Sequence, residues 1–108
     1  MDLLAKRLKE ARKGAGLSQE KLGVLAGIDE MSASARMNQY ERGKHSPDFG
    51  TVRRIAAVLN VPTAYFYAEA DDLADLLLKF HRLSSGEREQ LMSCLDGLAG
   101  AACKAEGG

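Results

Sequence analysis

The fold is decided by residues 37–44, which read MNQYERGK. The pattern is typical of the end of an exposed polar helix, because Gly43 suits the left-handed position that closes a helix. Asn38 and Gln39 carry amides that can each donate to and accept from one adenine edge. Arg42 and Lys44 follow where phosphates could be reached. The segment is predicted to contact DNA, although an ordinary solvated helix end would look similar.

The formal net charge of the 108 residues is zero, but the two halves of the chain differ in sign. Residues 1–67 carry 11 Lys and Arg against 7 Asp and Glu, whereas residues 68–108 carry 4 against 8. Such a split also arises by chance in small domains, so it permits DNA binding without requiring it. The division predicted here is a DNA-binding domain over 1–67 and an extension over 68–108.

The general composition excludes several classes of protein. Cys94 and Cys103 match neither a disulfide framework nor metal-ligand spacing, so no metal or other cofactor is predicted. The chain shows no apolar signal core and no apolar run of membrane-spanning length, which predicts a cytoplasmic protein without a membrane partner. It also lacks a nucleophile elbow and a phosphate loop, so we expect neither enzyme activity nor a small-molecule ligand.

Apolar residues at helical spacing predict five short helices in the first domain. The second helix is expected to bury Leu22, Leu25 and Ala26, and the third to bury Met37 and Tyr40. No segment alternates as a half-buried strand would, so the predicted class is all-α. The helices are expected near residues 4–13, 19–26, 32 or 33 to 42, 49–59 and 61–67.

Two further helices are predicted in the extension. The first begins behind Asp71 and Asp72, and the second follows a capping box in which Ser84 and Glu87 bond each other's backbone amides. The chain is expected to fray after about residue 100, where Gly and Ala dominate. The apolar stripes of these helices are predicted to form a dimer, or alternatively to pack back on the same protomer: Leu73, Leu76, Leu77, Phe80, Leu91, Leu95 and Leu98.

Over residues 1 to about 67 the chain resembles the lambda-repressor/Cro-like helix-turn-helix family, also called the XRE family. Three segments carry the resemblance in the right order. Residues 8–12 and 16–22 read LKEAR and GLSQEKL, residues 40–44 and Pro47 read YERGK and P, and residues 55–61 read IAAVLNV. The resemblance implies a five-helix DNA-binding domain whose third helix is the recognition helix.

The spacing within the helix-turn-helix departs from that family. The family places the glutamate of this signature about ten residues after the turn glycine, whereas Glu41 follows Gly27 by fourteen. The additional residues fall between Ile28 and Ser34, so either the turn is longer or the recognition helix begins with an extra turn. Gly23 stands where the family favours alanine, and it keeps the clearance between the two helices.

The resemblance also implies roles for individual residues. Arg12 is expected to form a structural ion pair with Glu41 that orients the recognition helix. Arg53 and Arg54 are interpreted as the solvated face of the fourth helix. The expected base contacts are Ser34, Ala35, Arg36, Asn38 and Gln39, and the expected phosphate contacts are Gln19, Arg42 and Lys44.

These observations predict a sequence-specific transcriptional regulator. The expected partner is double-stranded DNA, and the expected form is a homodimeric repressor on a two-fold symmetric operator. The alternative is a protein-interaction module, such as an antitoxin or anti-regulator whose C-terminal helices bind a partner protein.

Overall fold

The computed structural model of the protein describes the backbone of residues 2–107 and the side chains of residues 2–100. No strand occurs in residues 2–107, which confirms the predicted all-α class. Within these residues no helix is long and apolar enough to cross a membrane. The elements are α1 (Leu3–Gly14), α2 (Gln19–Leu25), α3 (Glu30–Glu41), α4 (Phe49–Leu59), a 3-10 helix (Thr63–Tyr67), α5 (Asp71–His81) and α6 (Ser85–Gly107).

The chain forms two compact units, Met1–Leu78 and Lys79–Gly108. The first contains α1 to α4, the 3-10 helix and most of α5, and the second contains the last turn of α5 and α6. The division after residue 67, made from the change in charge, stays a prediction.

Every element from α1 to the 3-10 helix contributes a side chain to the core of the first unit. Leu8, Leu22, Met37, Ile55 and Phe66 are each at most 1% exposed. Burial of such side chains stabilises a fold by about 1.5–3 kcal/mol each. These positions confirm the predicted helical stripes.

Leu25 does not follow the prediction, because its side chain is 50% exposed. The buried face of α2 runs through Leu22, Gly23 and Ala26, since Gly23 is turned toward α3. A face centred on these positions leaves Leu25 at its outer edge.

α3 begins at Glu30, two residues before the earliest start predicted for it. Asp29 is the N-cap, and its carboxylate accepts a hydrogen bond from the Met31 amide at 3.1 Å. Four residues, 26–29, therefore separate α2 from α3, and the additional residues form the first turn of the recognition helix. The sequence prediction was wrong here because one strong cap among several cap-forming residues sets the helix start.

Capping residues also close other helix ends. Asp48 accepts from the Thr51 amide at 2.7 Å, and this bond lowers the pKa of the Asp48 carboxyl. Asn60 closes α4 in the left-handed region, with φ of 55°. The capping box forms as predicted, with the Ser84 amide 2.8 Å from Glu87 Oε1 and the Glu87 amide 3.2 Å from Ser84 Oγ.

Arg7 fastens α1 to the segment that leads into α5. Its guanidinium donates to the Ala68 carbonyl at 2.8 and 3.1 Å and to the Glu69 carbonyl at 3.3 Å. It also lies 3.0 Å from an Asp71 carboxylate oxygen and 5.8 Å from the centre of the Tyr65 ring. Arg7 is only 3% exposed, so its charge is buried with these partners.

In the second unit, Arg88 of α6 connects this helix to the end of α5. Arg88 donates to the carbonyls of Phe80 and His81 at 3.1 and 3.0 Å, and its guanidinium lies 4.6 Å from the centre of the Phe80 ring. A cation is favoured at these C-terminal carbonyls of α5. Cys94 is exposed. The side chain of Cys103 lies outside the residues whose side chains are described. α6 continues to Gly107, and the fraying expected after about residue 100 stays a prediction.

Candidate nucleic-acid interface

α2 and α3 pack so closely at Gly23 that a larger residue would force its neighbours to shift. A Cβ on Gly23 would lie 2.9 Å from the Ala33 Cβ and 3.1 Å from the Met37 Cγ. Real Cβ atoms essentially never approach a neighbour to under 3.0 Å. Gly23 stands where the family favours alanine, and the absence of a side chain there leaves room for Ala33 of α3.

The turn between α2 and α3 is fixed from both sides. Gly27 has a φ of +90°, which L side chains rarely adopt. The Ile28 amide donates to the Gly23 carbonyl at 2.9 Å, and Arg54 of α4 donates to the Ala26 carbonyl at 3.0 Å. Arg54 is exposed, as expected for the solvated face of α4, and this contact gives it an additional structural role, because it holds the C-terminal end of α2. Arg53 is exposed, as expected.

Arg12 and Glu41 form the predicted ion pair between α1 and α3. Arg12 Nε and Nη2 lie 2.5 and 3.0 Å from the two Glu41 oxygens, and Nη1 donates to the Leu17 carbonyl at 2.9 Å. The side chains are 13% and 3% exposed, respectively. The hydrogen bond to Glu41 raises the pKa of Arg12 above its ordinary value, against a smaller lowering by burial. The contact is bidentate, which fixes the rotation of α3 about its axis.

Gln19 connects the start of α2 to this pair and to a predicted base reader. Its amide nitrogen lies 3.3 Å from Glu41 Oε1 and 3.4 Å from Asn38 Oδ1. An amide nitrogen has two hydrogens, so both are engaged in these bonds. The phosphate contact predicted for Gln19 stays a prediction. In the arrangement described, Gln19 positions the Asn38 side chain.

The side of α3 away from the core is exposed and polar. Ala33, Met37 and Glu41 form its buried stripe, which the spacing of four residues places on one side. Asn38 is half-buried because it is held by Gln19. The remaining predicted base contacts, which are Ser34, Ala35, Arg36 and Gln39, are all exposed.

Two basic residues follow at the end of α3. Gly43 has a φ of +73° and confirms the predicted left-handed closure of the helix. The Lys44 amide donates to the Gln39 carbonyl at 3.0 Å, so the chain turns sharply there. Arg42 and Lys44 are both exposed. Their side chains are free to reach phosphates beside the exposed side of α3.

This arrangement consists of two helices joined by a tight turn, with the second helix presenting amides and cations. A family model described as helix-turn-helix matches residues 8–66, which is more than half of the chain. The chain belongs to the lambda-repressor/Cro-like helix-turn-helix family.

Known proteins similar to the chain are described as transcriptional regulators. HTH-type transcriptional regulators from Sinorhizobium medicae (strain WSM419) and Rhizobium meliloti (strain 1021) are each 33% identical over 64 residues, or 59% of this chain. The match covers 43% of each of these relatives, so the chain spans less than half of their length. The crystal structure of the transcriptional regulator BswR is 49% identical, with a TM-score of 0.85 over 90% of this chain and 96% of that one.

The sequence interpretation missed the role or position of three residues, of which Arg54 and Met31 belong to this interface and Arg7 contacts the segment that leads into α5. Arg7 and Arg54 bond to backbone carbonyls, and such partners leave no trace in the sequence. Met31 lies in the first turn of α3, where irregular structure was expected, and its side chain is 92% exposed. The cap at Asp29, two positions before Met31, was the available signal for an earlier helix start.

Proposed function

We propose that the protein is a dimeric repressor that occupies a two-fold symmetric DNA site with α3 in the major groove. The observation that carries the proposal is the polar side of α3, which is exposed while its opposite side is fixed by Glu41 and Met37. A rigid helix with free amides suits direct reading of base edges. A repressor of this kind acts by blocking access to the promoter.

Gln39 is the principal base reader in this proposal. Its side chain is exposed, so its amide can both donate to and accept from an adenine edge. Asn38 differs, because its oxygen accepts a bond from Gln19, which leaves the amide hydrogens directed to a base acceptor. Ser34, Ala35 and Arg36 supply further contacts on the same exposed side.

Arg42 and Lys44 bind phosphates and set the register of α3 along the groove. Such contacts release counterions, so the affinity they provide falls as salt concentration rises. They carry no sequence information directly. The proposed division of labour is therefore positioning by the residues after α3 and reading by the residues within it.

The dimer is proposed to form through exposed apolar side chains of the C-terminal helices. In α6, Met92, Leu95 and Leu98 are 49%, 38% and 64% exposed, and they recur every third residue. In α5, Leu73 and Leu76 are 47% and 40% exposed, whereas Leu77 packs against the core of the first unit. Exposed leucines at helical spacing are typical of helix-mediated association.

The experiment that tests DNA recognition is selection of bound sequences from a random duplex pool by the full chain at low salt. A symmetric pair of half-sites with centres about ten base pairs apart is expected, since that is one helical turn of DNA. Absence of any enriched sequence would contradict the proposal and favour the protein-interaction module.

The experiment that tests the dimer is a light-scattering mass of the full chain and of the Leu95→Ser/Leu98→Ser variant. A dimer is expected for the wild type at micromolar concentration and a monomer for the variant. The matched control is Glu89→Ser, an exposed residue of the same helix, which should remain dimeric. A wild-type monomer would contradict the dimer. A full chain is preferable to residues 1–67, because Arg7 bonds to Ala68 and Glu69.

A further inference from the structure

The first turn of α3 places an apolar side chain on the recognition surface. Met31 is 92% exposed, the most exposed of the large apolar residues found exposed in the described part of the chain. It is the second residue of α3 and follows the cap at Asp29. Single exposed apolar residues are common on proteins, so exposure alone does not assign a role.

Its position on the helix supplies the second observation. Met31, Ala35 and Asn38 are spaced by four and seven residues, which aligns them along one side of an α-helix. The buried stripe of Ala33, Met37 and Glu41 lies on the other side. Met31 therefore extends the row that contains two of the proposed base contacts by one turn toward the N-terminus of α3.

Charge determines what this turn can contact. Asp29 and Glu30 precede Met31 and are exposed, so they repel phosphates. The group that can approach DNA there is the uncharged Met31 side chain. The thymine C5 methyl is the apolar group that base pairs present in the major groove.

We propose that Met31 is a specificity-determining residue that packs on a thymine methyl at the edge of each half-site. The inference rests on the proposed placement of α3 in the major groove, and it adds a base contact made by the extra turn. Because the contact is apolar, it contributes to sequence preference and leaves the salt dependence of binding unchanged.

The test begins with the sequence enriched by the full chain, in which each thymine is replaced in turn by deoxyuridine. This replacement removes only the methyl group. For the wild type, one position per half-site is expected to lose about fourfold in affinity, the value of one buried methyl-sized group. Met31→Ala removes the contact from both half-sites of the dimer, so on the thymine duplex it is expected to lose about fourfold for each half-site, roughly sixteenfold in all, and nothing further when either thymine is replaced.

Two variants serve as controls. Phe49→Ala removes an exposed apolar side chain from α4, outside the proposed base contacts and the proposed dimer surface, and should bind every duplex as the wild type does. Met31→Leu keeps an apolar side chain and should retain the loss on deoxyuridine. Folding is not at risk in either Met31 variant, because the side chain contributes little to the core.

The outcomes separate this inference from the function on which it rests. If a sequence is enriched but deoxyuridine affects the wild type and Met31→Ala equally, the Met31 contact is wrong and the regulator stands. An enriched sequence without thymine at the outer positions overturns the contact as well. If no sequence is enriched, the proposed function fails, and the inference fails with it.

Discussion

Two arginines of α1, five residues apart, connect this helix to two different parts of the first unit, α3 and the segment that leads into α5. Arg12 meets a carboxylate of the recognition helix, in a bidentate pair with Glu41. Arg7 is more enclosed than Arg12 and meets mainly the backbone carbonyls of Ala68 and Glu69, with Asp71 at the solvent edge. Arg12 therefore fixes the recognition helix α3 through a side-chain carboxylate. Arg7 instead fixes the path of the chain before α5 through backbone carbonyls.

The largest effect is expected from breaking the pair at the recognition helix. Glu41→Ala leaves Arg12 buried without its partner, and loss of one member of a buried pair costs about 3–5 kcal/mol. Urea unfolding of the full chain measures this free energy. Arg53→Ala, at an exposed position, should change it by less than about 0.5 kcal/mol. A loss of under about 1 kcal/mol for Glu41→Ala would show that the pair behaves as an exposed one.

A smaller loss is expected at the other end of α1. Arg7→Met keeps most of the side-chain volume but leaves the Ala68 carbonyl without its donor, which costs about 1–3 kcal/mol. Asp71→Asn should cost much less, because that side chain is 79% exposed. Urea unfolding again reports both values. Equal losses for the two variants would indicate that the ion pair, and not the carbonyl contact, fastens this end.

The recognition helix α3 is also held by close packing against Gly23 of α2. The contribution of this packing to stability can be measured separately. Gly23→Ala gains about 1 kcal/mol in helix propensity but overpacks against Ala33, which costs about 1–3 kcal/mol. A net loss of about 1 kcal/mol is expected. The loss should shrink in the Ala33→Gly background. Gly14→Ala, where an added Cβ has no neighbour within 4 Å, is the control and should not destabilise.

The smallest expected effect is a pH dependence of the unfolding free energy that arises from the contact between Arg7 and Asp71. The hydrogen bond from Arg7, followed by the charges of Lys6 and Arg7, holds the pKa of Asp71 below its usual 3.8. A lowered carboxyl pKa stabilises the fold above the unfolded-state pKa, and this is lost as pH falls through the folded-state pKa. The stability difference between wild type and Asp71→Asn should therefore close between about pH 5 and pH 2. In the Arg7→Met background, the pH profile should depend less on Asp71, because only the contact with Lys6 remains.

The same contrast explains how much could be predicted from the sequence. The helices, their caps and the Arg12–Glu41 pair follow from spacing, capping residues and the family signature, in which both partners are side chains. Arg7 and Arg54 could not be placed, because backbone carbonyls from distant segments are their partners. The start of α3 was missed because the residues from Asp29 to Ser34 favour caps, and local propensity does not decide which cap is used.

Four of the five predicted base contacts in α3 are exposed and Asn38 is half-buried, so the members of this set are not equivalent. Gln39 is free, whereas Asn38 is held by Gln19, a contact that depends on the angle at which α2 approaches α3. That angle is set by Gly23 and Ala33, and no residue pattern in α3 alone specifies it. Met31 entered this surface only because the helix starts earlier than predicted.

The central claim is that α3 reads bases while the residues after it bind phosphates. Its most direct test is the affinity of wild type, Gln39→Ala and Lys44→Ala for the selected duplex and a shuffled one, from about 50 to 200 mM salt. Gln39→Ala is expected to lower the preference for the selected duplex by roughly 1–3 kcal/mol and to leave the salt dependence of binding unchanged. Lys44→Ala is expected to reduce the slope of log affinity against log salt concentration by about 1 and to leave the preference unchanged. Unchanged affinity and preference in Gln39→Ala would contradict the assignment of α3 as the recognition helix.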